Sequence, residues 1–533
     1  MSQIGTEIEF DGERGTAMKH GREHRETQMR YMGIIDVGSN SVRLMIVKYN
    51  EHYFQVVYQW KEVVRLGDEF DAHGAIPEAK IDKLISILHL FNQMCSKYKP
   101  YQMHAVATAA LRRATNRREI VRRVENVTGV TLNIIGGESE AYLDYVAVIS
   151  TMNISDGLMM DIGGGSLELA LIRNRELVES CSIPIGALTI AQQFSVQAQL
   201  TEQEEQRISQ FIANWLERIP WLEEAHGLPL IGLGGTVRTL AKLESAASRI
   251  PFPTLHHHVL HASFVQSTFD SLKRLSLEEK ERVSGLCSER ADIIVGSLQV
   301  VAHVMNRLQA QYLIVCRKGV RDGMMFDLLR AEGMTVEQPL LFSIYNFRQR
   351  LELPNQSGAH VHRLFRMLVQ QCAPVLGLEG NWTNIIQTSA LLHDCGEVIS
   401  PLERERHALY MLLNADLYGL TPRELVLSGC IASINRQLKF ERAWRAYEPL
   451  LLPGDKRAVQ MLGALLRLAV SFSATSVVHT VNCVIDQHEV IVYVQADTPP
   501  LLEVTEAYAI RTGFRKLFDR YLVIMADVSP ALI

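Results

Sequence analysis

A chain of 533 residues is too long for one hydrophobic core and calls for three or four domains. With 47% hydrophobic and 21% charged residues it is an ordinary globular protein, and it holds no run of about 18 apolar residues that would span a membrane. A formal net charge of −5 gives no global attraction for nucleic acid or other polyanions, so a phosphate-rich ligand has to be held by local basic groups.

Residues 1–30 are polar, lack the apolar centre of a secretory signal and are expected to form a mobile tail. Strand signals follow at YMGIIDVG, SVRLMIVKYN and HYFQVVYQW, then a helix in PEAKIDKLISILHLFNQMCSKY. A strand in MHAVATAA, a basic helix in NRREIVRRVENVTG, a strand in TLNIIG and a helix from Glu140 complete a first α/β unit over residues 31–145. From DGLMMDIGGGS the order restarts, with helices after Thr201 and strands at LPLIGLGGT and YLIVCRKGV, which predicts a second α/β unit over 146–335. Long helical patterns then predict a helical domain over 336–475. The segments TVNCVIDQHEVIVYVQAD and RYLVIMADV predict a small sheet with a helix between them in residues 476–533. The 8 cysteines are scattered without a CxxC pair, so reduced thiols in a cytoplasm are expected rather than disulfides or a cysteine zinc site.

The two α/β units share a motif. DVGSNSVRLMIV, from Asp36, and DIGGGSLELALI, from Asp161, each read as a strand, a glycine-rich turn and a returning strand. Side chains alternate along a strand, so Ser41 and Arg43 share one face in the first copy, and Ser166 and Glu168 the matching face in the second. Backbone N–H groups of such turns cradle phosphate oxygens, which makes Gly38, Ser39, Asn40 and Ser41 one candidate nest and Gly163, Gly164, Gly165 and Ser166 its partner. In GLGGTVRTLAKL, Gly232, Gly234, Gly235 and Thr236 lead into a helix whose N-terminus favours anions, with Arg238 close behind.

Asp36, Asp161 and Glu168 are carboxylates in a site expected to bind phosphate, and a hard cation such as Mg²⁺ resolves the contradiction by bridging carboxylate and phosphate oxygens. Glu138 and Glu140 in IIGGESEAYLDYVAV either favour the positive end of their helix or orient a water for attack. Arg112, Arg113, Arg117, Arg118, Arg122 and Arg123 form a basic cluster of which at least half is expected to be a solvated helix face; Arg112 stands apart, next to a strand end. His256, His257, His258 and His261 lack a metal-ligand pattern and are expected in a surface loop or hairpin.

These segments, with ATAALRRATN, PIGALTI, ERADIIVGSL and KGVRDGMMFDLL in the same order, resemble the exopolyphosphatase and guanosine pentaphosphate phosphohydrolase family from roughly Met32 to the C-terminus. The resemblance implies the actin, sugar kinase and heat-shock ATPase-like fold, with two ribonuclease-H-like halves closing on terminal phosphates. It also implies bound Mg²⁺ and a homodimer. It makes Glu140 the catalytic base, Asp161 and Glu168 carboxylates of the metal or phosphate site, and Arg112 a phosphate ligand. The family pattern has two adjacent Glu before Ala, and the first is Ser139 here, which keeps Glu138 in view. HVHRLF, SALLHDCGEVIS and RHALYMLLNADLYGL resemble an HD-type domain, with His362, His393 and Asp394 at the first metal-ligand positions. Asn435 and Val470 stand where a His and an Asp are usual, so the trio is expected to persist as a hydrogen-bonded remnant without metal.

The expected function is hydrolysis of terminal phosphate from inorganic polyphosphate, with guanosine pentaphosphate or tetraphosphate as alternative ligands. Two rivals are a kinase of the same fold and a polyphosphate- or alarmone-binding regulator that does not hydrolyse. Asp161, Glu168 and Glu140 together speak against the regulator.

Overall fold

The computed structural model describes residues 29–99, 101–194, 199–250, 255–434 and 441–528. The expected tail lies outside these residues as far as residue 28. The first sheet holds β1 (Arg30–Val37), β2 (Ser41–Tyr49), β3 (Phe54–Val63), β4 (Tyr101–Ala107) and β5 (Leu132–Ile134) in the order β3-β2-β1-β4-β5. Its first three strands form an antiparallel meander, and β4 and β5 add in parallel on the other side of β1. Buried Ile34 and Ile35 in β1, and Leu44, Met45, Ile46 and Val47 in β2, on successive positions mark strands covered on both faces.

The second sheet repeats the plan with β6 (Gly157–Ile162), β7 (Leu167–Arg173), β8 (Glu176–Ile183), β9 (Leu230–Leu233), β10 (Val259–His261) and β11 (Tyr312–Val315). Their order is β10-β11-β9-β6-β7-β8, so β10 is an edge addition to the same arrangement. The register makes the echo concrete: Asp36 pairs with Arg43 across the first hairpin, and Asp161 with Glu168 across the second.

The halves are laced together by two helices. Helix Gly137–Thr151 spans the expected division at 145/146 and packs along helix Val320–Ala331. Met325, Phe326 and Leu329 of the latter join Met32, Ile34, Met45 and Val47 of the first sheet in one apolar cluster. Helix Gly137–Thr151 starts three residues before Glu140, which puts Glu140 in its first turn.

Between Pro339 and Phe472 every described element is a helix. A sheet of β12 (Val478–Ile485), β13 (Glu489–Ala496) and β14 (Tyr521–Val528) follows, with two helices, Leu501–Tyr508 and Arg511–Phe518, between its last two strands. One core runs from Leu340 through Ile431 and Leu465 to Val492, Phe514 and Ile524, so this sheet is buried against the helices. No helix among the described residues is long and apolar enough to cross a membrane.

Candidate functional site

The two glycine turns face each other at the floor of a cleft between the halves, whose empty volume is about 920 Å³ with adjoining solvent included. Each turn closes with the same bond, Gly38 N donating to Ser41 O and Gly163 N to Ser166 O, both at 3.0 Å. Carbonyls are taken up behind the turns: Asn40 O accepts from Val64 N (3.1 Å) and Arg65 N (2.9 Å), and Gly164 O from Leu188 N (2.8 Å). That arrangement suits an anion-binding nest. A Cβ on Gly165 would come within 2.9 Å of Ser39 Oγ and of Ala109 Cβ, so the turns are in contact and the floor is shut.

The third turn completes one wall. Gly234 has φ +86°, and a Cβ there would meet Asp161 Oδ1 at 2.4 Å, so both conformation and space demand glycine. A Cβ on Gly235 would overlap the guanidinium of Arg290 at 1.6 Å, which places Arg290 directly over this turn.

Five arginines line the cleft: Arg43, Arg238, Arg290, Arg317 and Arg321. Neutral oxygens hold three of them: Arg43 Nε donates to Ser41 Oγ (3.3 Å), Arg238 to Arg317 O (3.3 Å) and Arg321 to Leu44 O (3.2 Å). Burial, then the like charges of Arg43 and Arg290, push Arg238 down to about 9, and burial and Arg43 likewise lower Arg290. Mutually repelling, desolvated cations are stabilised by an anion placed among them.

Burial raises Asp36 and Asp161 above the usual carboxylate range. Glu140 is buried, with its carboxylate 3.1 Å from the Arg112 guanidinium. Burial carries its pKa to about 7 against the opposing pull of Arg112, with Asp161 and Asp36 adding to the rise. A carboxylate that titrates near neutrality at a phosphate site is suited to general-base work. The buried Asp161 carboxylate lies within hydrogen-bond reach of the Asp144 carboxyl, and two buried carboxyl groups side by side fit a hard cation such as Mg²⁺. Among the described residues no three or more His, Cys, Asp or Glu are arranged to hold a metal, so such an ion would also depend on phosphate oxygens.

Of the residues picked out in the sequence, Asp36, Gly38, Ser39, Asn40, Ser41, Arg43, Glu140, Asp161, Gly163, Gly164, Gly165, Ser166, Gly234, Gly235 and Arg238 all line the cleft. Glu138 is exposed, whereas Glu140 is buried at the site. Three residues stand behind the lining. Arg112 holds Glu140 and Ile135 O (3.0 Å), Glu168 accepts from Ser182 Oγ (2.7 Å), and Thr236 is buried in the first turn of its helix. Arg113, Arg117, Arg118 and Arg122 are exposed, as a solvated face requires.

The expectation of a surface loop or hairpin is met by His261, exposed at the end of the edge strand β10, and fails for His257 and His258. His257 and His258 are buried, and burial lowers His256 to about 3 and His257 to about 4. The helical domain covers this segment, which a local reading could not anticipate: His256 shares Thr151 O with Gly419 N. In that domain the fully buried Arg348 grips both oxygens of Asp394, at 2.7 and 3.0 Å, and His393 bonds Ala390 O at 2.8 Å. A guanidinium thus neutralises the carboxylate that an HD-type metal would have used. Asn435 lies outside the described residues, and Val470 packs against the core.

Arg290, Arg317 and Arg321 escaped the sequence reading, as did Asp144. Its two oxygens are buried beside the Asp161 carboxylate, and burial, with Asp161 and Glu140 adding, holds it well above the usual range. Asp144 follows Glu140 by four residues, and that spacing was the available signal.

Two α/β halves of one plan, joined by crossing helices and facing each other with glycine turns, arginines and a near-neutral glutamate, define a phosphoryl-group enzyme. The sequence pattern of the Ppx/GppA phosphatase family matches residues 45–332, and that of Ppx/GppA phosphatase domain III matches residues 342–489. The chain belongs to the Ppx/GppA phosphatase family, whose members are hydrolases of phosphoanhydride bonds. The crystal structure of the Aquifex aeolicus family member is similar at 27% identity and a TM-score of 0.51, covering 58% of this chain and 100% of that one. An exopolyphosphatase from Cytophaga hutchinsonii shares the fold at 23% identity and a TM-score of 0.53, over 58% of this chain and 100% of its own.

Proposed function

We propose that this protein is an exopolyphosphatase that removes the terminal phosphate of inorganic polyphosphate. The observation that carries the reading is the convergence of five arginines on a pair of touching glycine turns, with a buried glutamate of pKa about 7 beside them. A cleft shut at its floor accepts the end of a chain and excludes its middle. The terminal phosphoryl group is cradled by backbone N–H groups of the two nests and by the arginines, which offset charge where it develops. Glu140, deprotonated above about pH 7, accepts the proton of the attacking water. Arg112, bonded to that carboxylate, keeps it aimed. Asp36 and Asp161 would hold Mg²⁺, which supplies charge neutralisation on the phosphate oxygens.

The test is a side-by-side phosphate-release assay of purified protein with long-chain polyphosphate and guanosine pentaphosphate. Faster turnover of polyphosphate supports the reading; release from pentaphosphate alone moves the function to the nucleotide. Tight binding without release from either makes the protein a regulator.

A further inference from the structure

The helical domain reaches the phosphate cleft at one point. Arg317, Gly319, Val320, Arg321 and Asp322 form one wall, and the residue in their midst that does not line the cleft is Lys318. Its side chain turns the other way, and Nζ lies 2.6 Å from Asp416 Oδ2 and 5.2 Å from the centre of the Tyr418 ring, both in the helical domain. Asp322 Oδ1 is 3.7 Å from the same ammonium. Burial alone would lower Lys318, but Asp416, Tyr418 and Asp322 outweigh it and raise it, while Lys318 in turn holds Asp416 low against burial.

The rest of the wall is tied just as directly. Arg317 N donates to His256 Nδ1 (3.2 Å), so the His256 proton sits on Nε2, which donates to Thr151 O (3.1 Å). Gly419 N donates to the same carbonyl at 3.0 Å. Arg238 donates to Arg317 O, and Gly319 N to Asp322 Oδ2 (3.3 Å). Every tether except the Lys318 ion pair comes from the two α/β halves or from backbone. Among the described residues the ion pair is the one salt bridge from the helical domain to the wall, and the same Asp416 carboxylate also attracts the charge of Arg317 at longer range.

We propose that Asp416 is a positioning residue for substrate: through Lys318 it fixes where Arg317 and Arg321 stand, and so sets the affinity of the cleft for a chain of phosphates. The inference rests on the phosphate-cleft reading above. Two cleft arginines flank the anchored segment, so releasing Lys318 loosens the wall that carries them, Arg317 more than Arg321, whose guanidinium stays bonded to Leu44 O. Asp416→Asn keeps a side-chain oxygen for the Lys318 ammonium, which is only 14% exposed and retains Asp322 at 3.7 Å, so the change removes the charge without emptying the contact.

The experiment compares full-length wild type, Asp416→Asn and Asp416→Glu by calorimetric titration with tripolyphosphate, thermal melting and phosphate release. Asp416→Asn should weaken tripolyphosphate binding and raise KM on the order of tenfold, as small displacements of binding groups do, with a smaller fall in kcat. Its melting temperature should move by less than about 3 °C, and Asp416→Glu should restore binding. If Asp416→Asn melts below the assay temperature, Lys318→Gln removes the same pair from the other side and decides the matter. Unchanged affinity in a folded variant overturns the inference, whether or not the melting temperature falls. A wild type that neither binds nor hydrolyses tripolyphosphate overturns the cleft reading, and this inference with it.

Discussion

Replacing Glu140 by Gln is the sharpest perturbation the cleft allows. The side chain keeps its length and an oxygen for the Arg112 guanidinium, now 3.1 Å away, but loses its basicity. General-base catalysis contributes about 10²–10⁴ in rate, or about 3–5 kcal/mol on the barrier. The variant should fold at least as well as wild type, since Glu140 is buried and its charge raises the pKa of both Asp144 and Glu168. Phosphate release at saturating polyphosphate should therefore fall by about two to four orders of magnitude, while tripolyphosphate affinity stays. In wild type, kcat/KM should rise with pH through about 7 as the carboxylate deprotonates, and that limb should vanish in the variant. A variant within tenfold of wild-type turnover, or one retaining the acid limb, would refute the assignment.

A Gly235→Ala variant pushes a methyl group into Arg290, and titration with tripolyphosphate should show affinity reduced by about tenfold or more. Asp144 has a folded pKa well above its unfolded one, so its contribution is intact below the ordinary carboxylate range and is lost as pH rises beyond it. Asp144→Asn should therefore stabilise the metal-free protein at pH 8 by about 1–3 kcal/mol and do nothing near pH 4, as thermal melts would reveal; destabilisation at pH 8 would count against it. With Arg348 seated on Asp394, His393→Ala should leave both divalent metal content and phosphate release of the full-length protein unchanged; loss of one equivalent of metal would show a working centre. Affinity for long polyphosphate should weaken with salt more steeply than affinity for tripolyphosphate, and neutralising exposed Arg117 and Arg118 together should shrink the difference.

Much of the cleft was legible because it is written locally. A strand, a glycine turn and a returning strand fix their own geometry, so the nests and the pairs Asp36–Arg43 and Asp161–Glu168 follow from spacing alone. The helix start left Glu138 and Glu140 open, and the family resemblance singled out Glu140; the helix begins at Gly137. Arg290, Arg317 and Arg321 were hidden because each is carried to the cleft by a distant segment, Arg290 over Gly235 and Arg321 across to Leu44. The histidine segment misled for the same reason: its polarity suggests solvent, and only the docking of the helical domain buries it. Likewise the missing metal ligands were visible in the sequence, but the guanidinium of Arg348 that neutralises Asp394 was not.

Hydrolysis of long-chain polyphosphate in ¹⁸O-labelled water, with Mg²⁺ present, tests the central claim most directly. The account predicts orthophosphate carrying one labelled oxygen, released by wild type and by Glu140→Gln about two to four orders of magnitude more slowly. No orthophosphate from wild type, or phosphate delivered instead to an added acceptor such as ADP, would contradict it.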